Sequence, residues 1–158
     1  MDLTQEVFAN RVKTIFESGG FNADTETWDT RVRQHVHFHS ASLGPPARAS
    51  FRAIVAPSMC NQLGNLHGGC AATLIDVLSS MLPLALQRPG IFSYGGVSRA
   101  LDVKYLRGVP EGVEMEIICE VGSLGRRLAM FTAEIRRVDN GELCVIGLHD
   151  KANTDPKL

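Results

Sequence analysis

The stretch CNQLGNLHGGCAATLIDVLSSMLPLALQ, from Cys60 to Gln87, decides the fold. Its second part, residues 68–87, is rich in Ala, Leu and Met and carries one ionisable side chain, that of Asp76. This length and composition favour a helix over a strand. Because apolar residues lie all round the helix, we expect it to be buried on most sides, and we expect Pro83 to kink or end it.

Strand patterns lie on both sides of this helix in the sequence. Alternation of apolar and polar residues predicts two strands before it, in residues 31–39 and 49–56, and four after it, in residues 97–106, 113–121, 127–138 and 142–152. Asn140-Gly141 predicts a hairpin between the last two strands, because this pair suits a type I′ turn. The order indicates an α+β fold, in which a curved antiparallel sheet wraps round one central buried helix.

The N-terminal part reads as a separate element. Residues 1–30 combine an amphipathic pattern, Leu3 to Phe16 at helical spacing, with a polar linker, and residues 31–158 are long enough for a single domain. We therefore predict an extra N-terminal helix and linker at 1–30 and one domain at 31–158. The helix is expected to pack on that domain or on a partner rather than on a membrane.

Charge and hydropathy exclude two classes of partner. The formal net charge is −1, so bulk electrostatics do not favour nucleic acid. No uninterrupted apolar run reaches the roughly 18 residues that would suggest a membrane span. We expect neither a nucleic-acid partner nor a membrane span.

Cysteines and histidines could suggest a metal. The four cysteines, at positions 60, 70, 119 and 144, form no CxxC pair, so we expect reduced thiols in a cytoplasmic protein, with a mitochondrial location as the alternative. His35, His37 and His39 alternate along one predicted strand, about 6.6 Å apart. A solvated strand face explains them better than a metal site. The sequence predicts no metal and no cofactor.

Asp76 is the first candidate for chemistry. A lone carboxylate is costly to bury in an apolar helix unless something compensates for the lost water. Either Asp76 makes a structural bond to a neighbouring chain or a backbone amide, or it is a general base or nucleophile in dry surroundings. Both interpretations remain open from the spacing alone.

His67-Gly68-Gly69 lies where the buried helix begins. The first turn of a helix has unpaired N–H groups and the positive end of the helix dipole, and glycine permits a ligand to approach the backbone closely. This geometry suits a developing oxyanion, although the glycines could serve only a tight turn. His67 is expected to be a positioning or packing residue rather than a base.

Gly68 and Asp76 are too far apart for one chain to use both on the same carbonyl carbon. Eight residues of helix correspond to about 12 Å of rise. If both residues act in one reaction, they come from different chains, and two-fold symmetry gives two equivalent sites per homodimer. We expect such a homodimer, assembled further into a tetramer as a dimer of dimers.

The stretch NQLGNLHGGCAATLIDVLSS, Asn61 to Ser80, resembles the signature of the small hotdog-fold acyl-CoA thioesterases of the phenylacetate-pathway (PaaI) type and their animal relatives. The shared pattern is N-x-x-G-x-x-H-G-G followed by an Asp on the helix. The likeness runs from about residue 47 to about residue 152 and includes the strand order. It implies a hotdog fold and hydrolysis of an acyl thioester.

The resemblance also implies roles for individual residues. Asp76 would act as base or nucleophile, Gly68 would offer its N–H to the thioester carbonyl, and Asn61 would hold the water or the carbonyl. Ser98 would support the attack, with Ser93 as its rival. The remaining implied substrate contacts are Gly69 near the carbonyl and Arg107, Arg126 and Arg127 on the coenzyme A arm.

Two other functions compete with hydrolysis. A hotdog dehydratase would act on similar acyl thioesters with a His and an acid, in a differently patterned motif. A hotdog protein that binds acyl-CoA without turnover would need no buried base, so Asp76, Asn61 and Gly68 argue against it. The sequence therefore favours a thioesterase acting on acyl-CoA or on an acyl carrier, and it does not specify the acyl chain.

Overall fold

The computed structural model describes residues 3–19 and 26–156. Its elements are α1 (Gln5–Glu17), α2 (Thr30–Arg33), β1 (Val36–Ser42), β2 (Arg48–Ile54), a 3-10 turn (Pro57–Met59), α3 (Gly68–Ser79), α4 (Met81–Leu86), β3 (Val97–Tyr105), β4 (Glu114–Leu124), β5 (Leu128–Arg137) and β6 (Leu143–Ala152). The strands form one antiparallel sheet in the order β1-β2-β4-β5-β6-β3. This is the predicted hotdog architecture, with the central helix α3 packed against β3, β4, β5 and β6.

Helix α3 is held at the centre of the sheet by one apolar face. Ala71, Leu74, Ile75 and Leu78 follow helical spacing and are buried. The sheet approaches the helix closely at Gly147, where an added Cβ would lie 2.9 Å from Ile75 Cδ1. A side chain at position 147 would therefore push the helix away from β6.

The long apolar helix is interrupted, as the proline predicted, but three residues before it. Helix α3 ends at Ser79, Ser80 forms the joint, and Pro83 lies buried inside α4. Proline has no N–H to bond the carbonyl of Ser79, four residues earlier, and its ring crowds that carbonyl. The break therefore falls in the preceding turn.

Residues 68–86 are long and apolar enough to cross a membrane by length and composition, contrary to the expectation that no such stretch exists. Asp76 and the small polar residues interrupt the apolar run, but the mean hydropathy of the stretch remains high, at 1.6. In the fold, 56% of this stretch is buried. That burial is typical of the core helix of a globular domain.

The first predicted strand begins later than its pattern suggested. Residues 30–33 form the short helix α2 instead, and β1 starts at Val36. An ion pair between Arg33 and Asp29, 3.1 Å from Nε to Oδ2, joins residues four apart, which are neighbours on a helix. The three histidines flank or lie on the edge strand β1, and His35 contacts the hydroxyl of Ser58 at 3.3 Å.

The hairpin between β5 and β6 is confirmed, but the type I′ turn is wrong. Only Gly141 of the predicted pair has a positive φ, 73°, and its N–H donates to the carbonyl of Arg137 at 3.0 Å. A type I′ turn needs positive φ at both central residues. The strands are joined by a five-residue loop, 138–142, in which Asn140 accepts a bond from the N–H of Glu142 through its side chain.

Helix α1 packs on the domain, as its pattern predicted. Phe8 and Val12 are fully buried against β1 and α4. The side-chain amide of Gln5 bonds to the end of β1. Its Nε2 donates to Ala41 O at 2.8 Å, and its Oε1 accepts from Leu43 N–H at 2.7 Å. The division into an N-terminal segment and a domain from residue 31 stays a prediction.

Two apolar surfaces stand out on the outside. Strand β3 is an edge of the sheet, and Val97, Leu101 and Tyr105 on it are exposed. Trp28 is 89% exposed, and its indole N–H lies 3.4 Å from Thr73 Oγ1 on α3.

Candidate active site

Asp76 projects from the middle of α3 toward two strands that follow far later in the chain. Its Oδ1 accepts a hydrogen bond from Ser98 Oγ on β3 at 2.7 Å and lies 3.1 Å from His149 Nε2 on β6. The structure therefore brings Ser98 to the carboxylate, whereas the rival Ser93 bonds Gly90 N–H in a loop.

The surroundings of Asp76 are less dry than the apolar sequence of the helix predicted. The side chain is 43% exposed in the single chain. The sheet buries Leu74, Ile75 and Leu78 of α3, whereas Asp76 stays partly exposed although its Oδ1 contacts Ser98 and His149. Burial of the carboxylate by its own chain is thus corrected to partial exposure.

His149 is the functional candidate that sequence analysis missed. Its ring is fully buried, with Nδ1 2.7 Å from Ser79 Oγ and Nε2 2.8 Å from Ser98 Oγ. Burial, and secondly the charge of Lys151, lower the pKa of His149 to about 4, although Asp76 and Asp150 oppose this. The imidazole is therefore neutral near pH 7.

A neutral ring fixes the direction of every bond in this cluster. Ser98 donates its proton to Asp76, so its oxygen is available to accept from His149 Nε2–H. Nδ1 then accepts from Ser79 Oγ–H. The hydrogen bonds run from Ser79 to His149, from His149 to Ser98 and from Ser98 to Asp76. None of the described residues bonds Oδ2 of Asp76, which leaves this oxygen for a further contact.

The N-terminal end of α3 is organised by backbone groups. His67 is the N-cap residue, and its Nδ1 accepts from Gly69 N–H at 2.9 Å, so the ring proton lies on Nε2. The N–H of Gly69, predicted to contact substrate, is therefore already bonded. The N–H of Gly68 has no partner within residues 3–19 and 26–156, so it is free to donate to a ligand.

Asn61 lies in the loop beside this end. Its Oδ1 accepts from the N–H groups of Leu63 at 2.9 Å and Asn65 at 3.2 Å. These two bonds fix the orientation of the amide, so that its Nδ2 is the group that can reach a ligand. Asn61 and Gly68 line one groove of about 370 Å³.

Tyr105 closes that groove and was not predicted as a site residue. Its hydroxyl donates to Gly68 O at 2.8 Å, and its ring atom Cζ would lie 3.1 Å from a Cβ at Gly68. A side chain at position 68 would therefore press on Tyr105, so the ring or the start of α3 would have to shift by a few tenths of an ångström. The alternation of strand β3 had placed Tyr105 correctly but suggested no role for it.

The three arginines fall into two groups. Arg107 lines the Gly68 groove and pairs with Glu142, 2.8 Å from Nε to Oε1. Arg126 and Arg127 are exposed in the β4–β5 loop, where their carbonyls accept from Asn153. That loop lies at the β6 end that pairs with Val97 and Ser98, which is the Asp76 side.

The predicted site residues thus form two clusters. One contains Asn61 and Gly68, to which the structure adds Tyr105, and the other contains Asp76 and Ser98, to which it adds His149. Gly68 and Asp76 both lie on α3, so the predicted separation of about 12 Å applies to them. Within the described residues, no group of three His, Cys, Asp or Glu side chains could hold a metal ion.

Comparisons with known proteins agree with this fold. Residues 63–144 match the family model described as the thioesterase superfamily. The mouse protein acyl-coenzyme A thioesterase 13 is 29% identical over 140 residues, which cover 89% of each protein.

Solved structures of other proteins share this fold. The zebrafish thioesterase superfamily member 2 superposes with a TM-score of 0.78 at 32% identity, over 96% of this chain and 99% of that one. The PaaI protein of the E. coli phenylacetic acid degradation operon shares the fold, with a TM-score of 0.72 at 14% identity over 97% of both chains.

Proposed function

Because the chain belongs to the thioesterase superfamily, we propose that it hydrolyses the thioester bond of acyl-coenzyme A, releasing a free acid and coenzyme A. The observation that carries this proposal is the Asp76 carboxylate, half exposed on an apolar core helix and oriented by Ser98 at 2.7 Å. Among the described residues, Asp76 has no charged partner in direct contact and one oxygen without a hydrogen bond, which suits a base or a nucleophile.

Each cluster supplies a different part of the reaction. The N–H of Gly68 and the Nδ2 of Asn61 polarise the thioester carbonyl and stabilise the oxyanion that forms. Asp76 either takes a proton from an attacking water, or attacks the carbonyl carbon itself to form a mixed anhydride. In both routes the carbon–sulfur bond breaks, and the thiolate of coenzyme A leaves and takes up a proton. In the second route a water then hydrolyses the anhydride, which releases the acid and restores the Asp76 carboxylate.

A complete site needs both clusters around one carbonyl, which supports a homodimer. Strand β3 is an exposed edge with Val97, Leu101 and Tyr105 unburied, and such edges pair readily with another chain. Antiparallel pairing of two β3 strands, centred between residues 101 and 102, sets Ser98 opposite the partner's Tyr105. The Asp76 cluster of one chain then faces the Gly68 cluster of the other.

The arginines fit the same arrangement. Arg107 belongs to the Gly68 cluster, while Arg126 and Arg127 lie on the Asp76 side. In the proposed dimer they would therefore flank one site from two chains. We assign them to the phosphates of the coenzyme A arm, because guanidinium groups match phosphate geometry.

The dimers would associate through the outer face of the sheet. A groove of about 550 Å³ on this face carries Arg48 and Lys104 beside Glu120 and Glu134. Charges of both signs on one patch can pair with a second copy across a two-fold axis. We propose a tetramer of this kind in a cytoplasmic or mitochondrial setting. Light scattering tests the tetramer, and cell fractionation tests the location.

Release of free thiol from acyl-CoA tests the function directly. The purified protein is assayed against short, medium, long and aromatic acyl-CoAs, with Asp76→Asn as the matched blank, and separately for hydration of an enoyl-CoA. Thiol release that the blank lacks is expected. Hydration without thiol release would identify a dehydratase, and binding without either reaction would identify an acyl-CoA-binding protein.

Co-expression of two inactive variants tests the shared site. Asn61→Ala and Asp76→Ala each remove one cluster, so a mixed dimer has one site with both defects and one intact site. Random pairing makes half the dimers mixed, and about a quarter of all sites are then intact. Recovered activity near that level supports the shared site. Mixed dimers as inactive as the parents would place all the residues in one chain.

A further inference from the structure

Lys151 is a buried cation that the reaction outlined above does not use. Its side chain belongs to a residue only 4% exposed, and Nζ donates to Ser80 Oγ at 2.7 Å. Ser80 Oγ in turn donates to the backbone carbonyl of Asp76 at 2.7 Å. Burying an ammonium group costs several kcal/mol unless its surroundings compensate, so its presence under α3 calls for a reason.

The position of Lys151 in the sheet brings it next to the Asp76 cluster. Residues 145, 147, 149 and 151 alternate along β6 and are buried, so Lys151 follows His149 on the inward face. Across the sheet it pairs with Ser98 on β3 and Ala129 on β5, while His149 pairs with Phe131. Lys151 thus shares one interior compartment with His149 and Ser98.

The charged groups that face His149 come from two elements. Helix α3 contributes Asp76, and β6 contributes Lys151 and Asp150. The neighbours on β3 and β5, Ser98 and Phe131, carry no charge. Lys151 is therefore the one cation among the described groups that act on this ring.

We propose that Lys151 is a positioning residue, whose ammonium group keeps His149 in the neutral form that donates from Nε2 to Ser98. The inference rests on the proposed role of Asp76 in hydrolysis. A protonated His149 would place a full positive charge 3.1 Å from Asp76 Oδ1 and would donate from Nδ1 as well, which reverses the bond to Ser79. Either change would weaken a base or nucleophile at Asp76.

Two electrostatic features support a charged Lys151. It lies beside Ser80, the C-cap of α3, where the carbonyl end of the helix dipole favours a cation. Burial lowers the pKa of Lys151, and the Asp76 carboxylate opposes that effect. The ammonium also disfavours a second positive charge on His149, and it lowers the pKa of that ring in the same sense as burial does.

The first test follows His149 by NMR, independently of activity. The ring proton signals of wild type, Lys151→Met and Lys151→Arg are titrated, with His149→Gln to assign the signal. In wild type and Lys151→Arg the ring should stay neutral to about pH 4. In Lys151→Met the midpoint should rise by about one pH unit, because one opposing charge has been removed. An unchanged midpoint in Lys151→Met overturns the proposal.

The second test uses the pH profile of kcat/KM for thiol release. In Lys151→Met the acid-side fall of the profile should move up by about one pH unit, so the variant loses about tenfold more activity at acid pH than at neutral pH. Lys151→Arg should keep the wild-type position. A purely structural role would lower the whole profile without moving it. Lys13→Met, at an exposed lysine of α1, is the matched control and should leave the profile unchanged.

Two further experiments decide the role of Lys151 if the Lys151→Met variant does not fold. Lys151→Gln replaces Lys151→Met where that variant does not fold, and nitrogen-15 NMR of the Lys151 side chain in wild type reports its charge without any substitution. A neutral Lys151 amine at neutral pH would overturn the proposal. If the wild-type protein releases no thiol from any acyl-CoA, the proposed function fails, while the NMR titration still decides the role of Lys151.

Discussion

The two ends of the candidate site are built by different means. At the start of α3, His67, Gly68 and Asn61 act mainly through backbone N–H groups and short loop contacts within nine residues of sequence. In the middle of α3, Asp76 depends on the side chains of Ser98 and His149, which follow 22 and 73 residues later. The first cluster is therefore mostly local in sequence, with Tyr105 as its distant member, and the second depends on the packing of β3 and β6 against α3.

This difference predicts how each cluster responds to substitution. Loss of its side chain should abolish the role of Asp76, whereas the Gly68 N–H belongs to the backbone and should be disturbed by an added side chain.

Asp76→Asn should have the largest effect. The change is nearly isosteric, so the fold should survive while the base or nucleophile is lost, and kcat should fall at least about a hundredfold. Asp139→Asn, at an exposed carboxylate in the β5–β6 loop, is the control and should keep wild-type kcat. A folded Asp76→Asn protein with wild-type kcat would show that this carboxylate has no role in the chemistry.

Gly68→Ala should come next. The new Cβ would lie 3.1 Å from Tyr105 Cζ, so either the ring or the start of α3 must shift. A displaced oxyanion donor should lower kcat/KM by about ten- to a hundredfold. Thiol-release kinetics measure the loss, and thermal unfolding separates it from misfolding. Wild-type kcat/KM would mean that the close approach of Tyr105 does not matter.

His67→Ala should cost less activity, since the Gly68 N–H belongs to the backbone. It removes the N-cap bond to Gly69, which should lower the free energy of unfolding by about 1 kcal/mol. Activity should remain well above that of Asp76→Asn. The reverse order of the two variants would move the chemistry to a histidine and favour a dehydratase.

Charge removal at the arginines should have the smallest effect on kcat. Arg107→Gln, Arg126→Gln and Arg127→Gln should each raise KM for acyl-CoA by about fivefold or less, because exposed ion pairs contribute little. The contact exists in ground and transition states alike, so kcat should stay similar. The KM effect should shrink at high salt. An unchanged KM in all three variants would indicate a carrier protein or another donor.

The same contrast explains which parts of the fold and of the candidate site could be predicted from the sequence. The fold and the Gly68 cluster follow from local patterns, namely the helix composition, the strand alternation and the His-Gly-Gly motif. His149 and Lys151 do not, because each looks like an ordinary polar residue until β6 is placed against α3. Their alternation with Val145 and Gly147 was the available signal, since it puts two ionisable residues on the inward face.

The sequence patterns misplaced the start of β1 and the turn between β5 and β6. Both errors have causes within a few residues of sequence. Residues 30–33 follow a period-two pattern, yet they fold as one helical turn with an i,i+4 ion pair between Asp29 and Arg33. The Asn140-Gly141 pair was assigned to a two-residue turn, but its loop includes three further residues. In both places, backbone hydrogen bonds within a few residues override the periodicity.

The exposed indole of Trp28 gives the protein an optical reporter. It is the one tryptophan of the chain, it is 89% exposed, and it touches Thr73, one helical turn before Asp76. Its fluorescence in a single chain is that of an indole in water, and any molecule or subunit that covers this side of α3 will shift the emission to shorter wavelength. Occupancy beside the candidate site can therefore be followed by light alone, without a label.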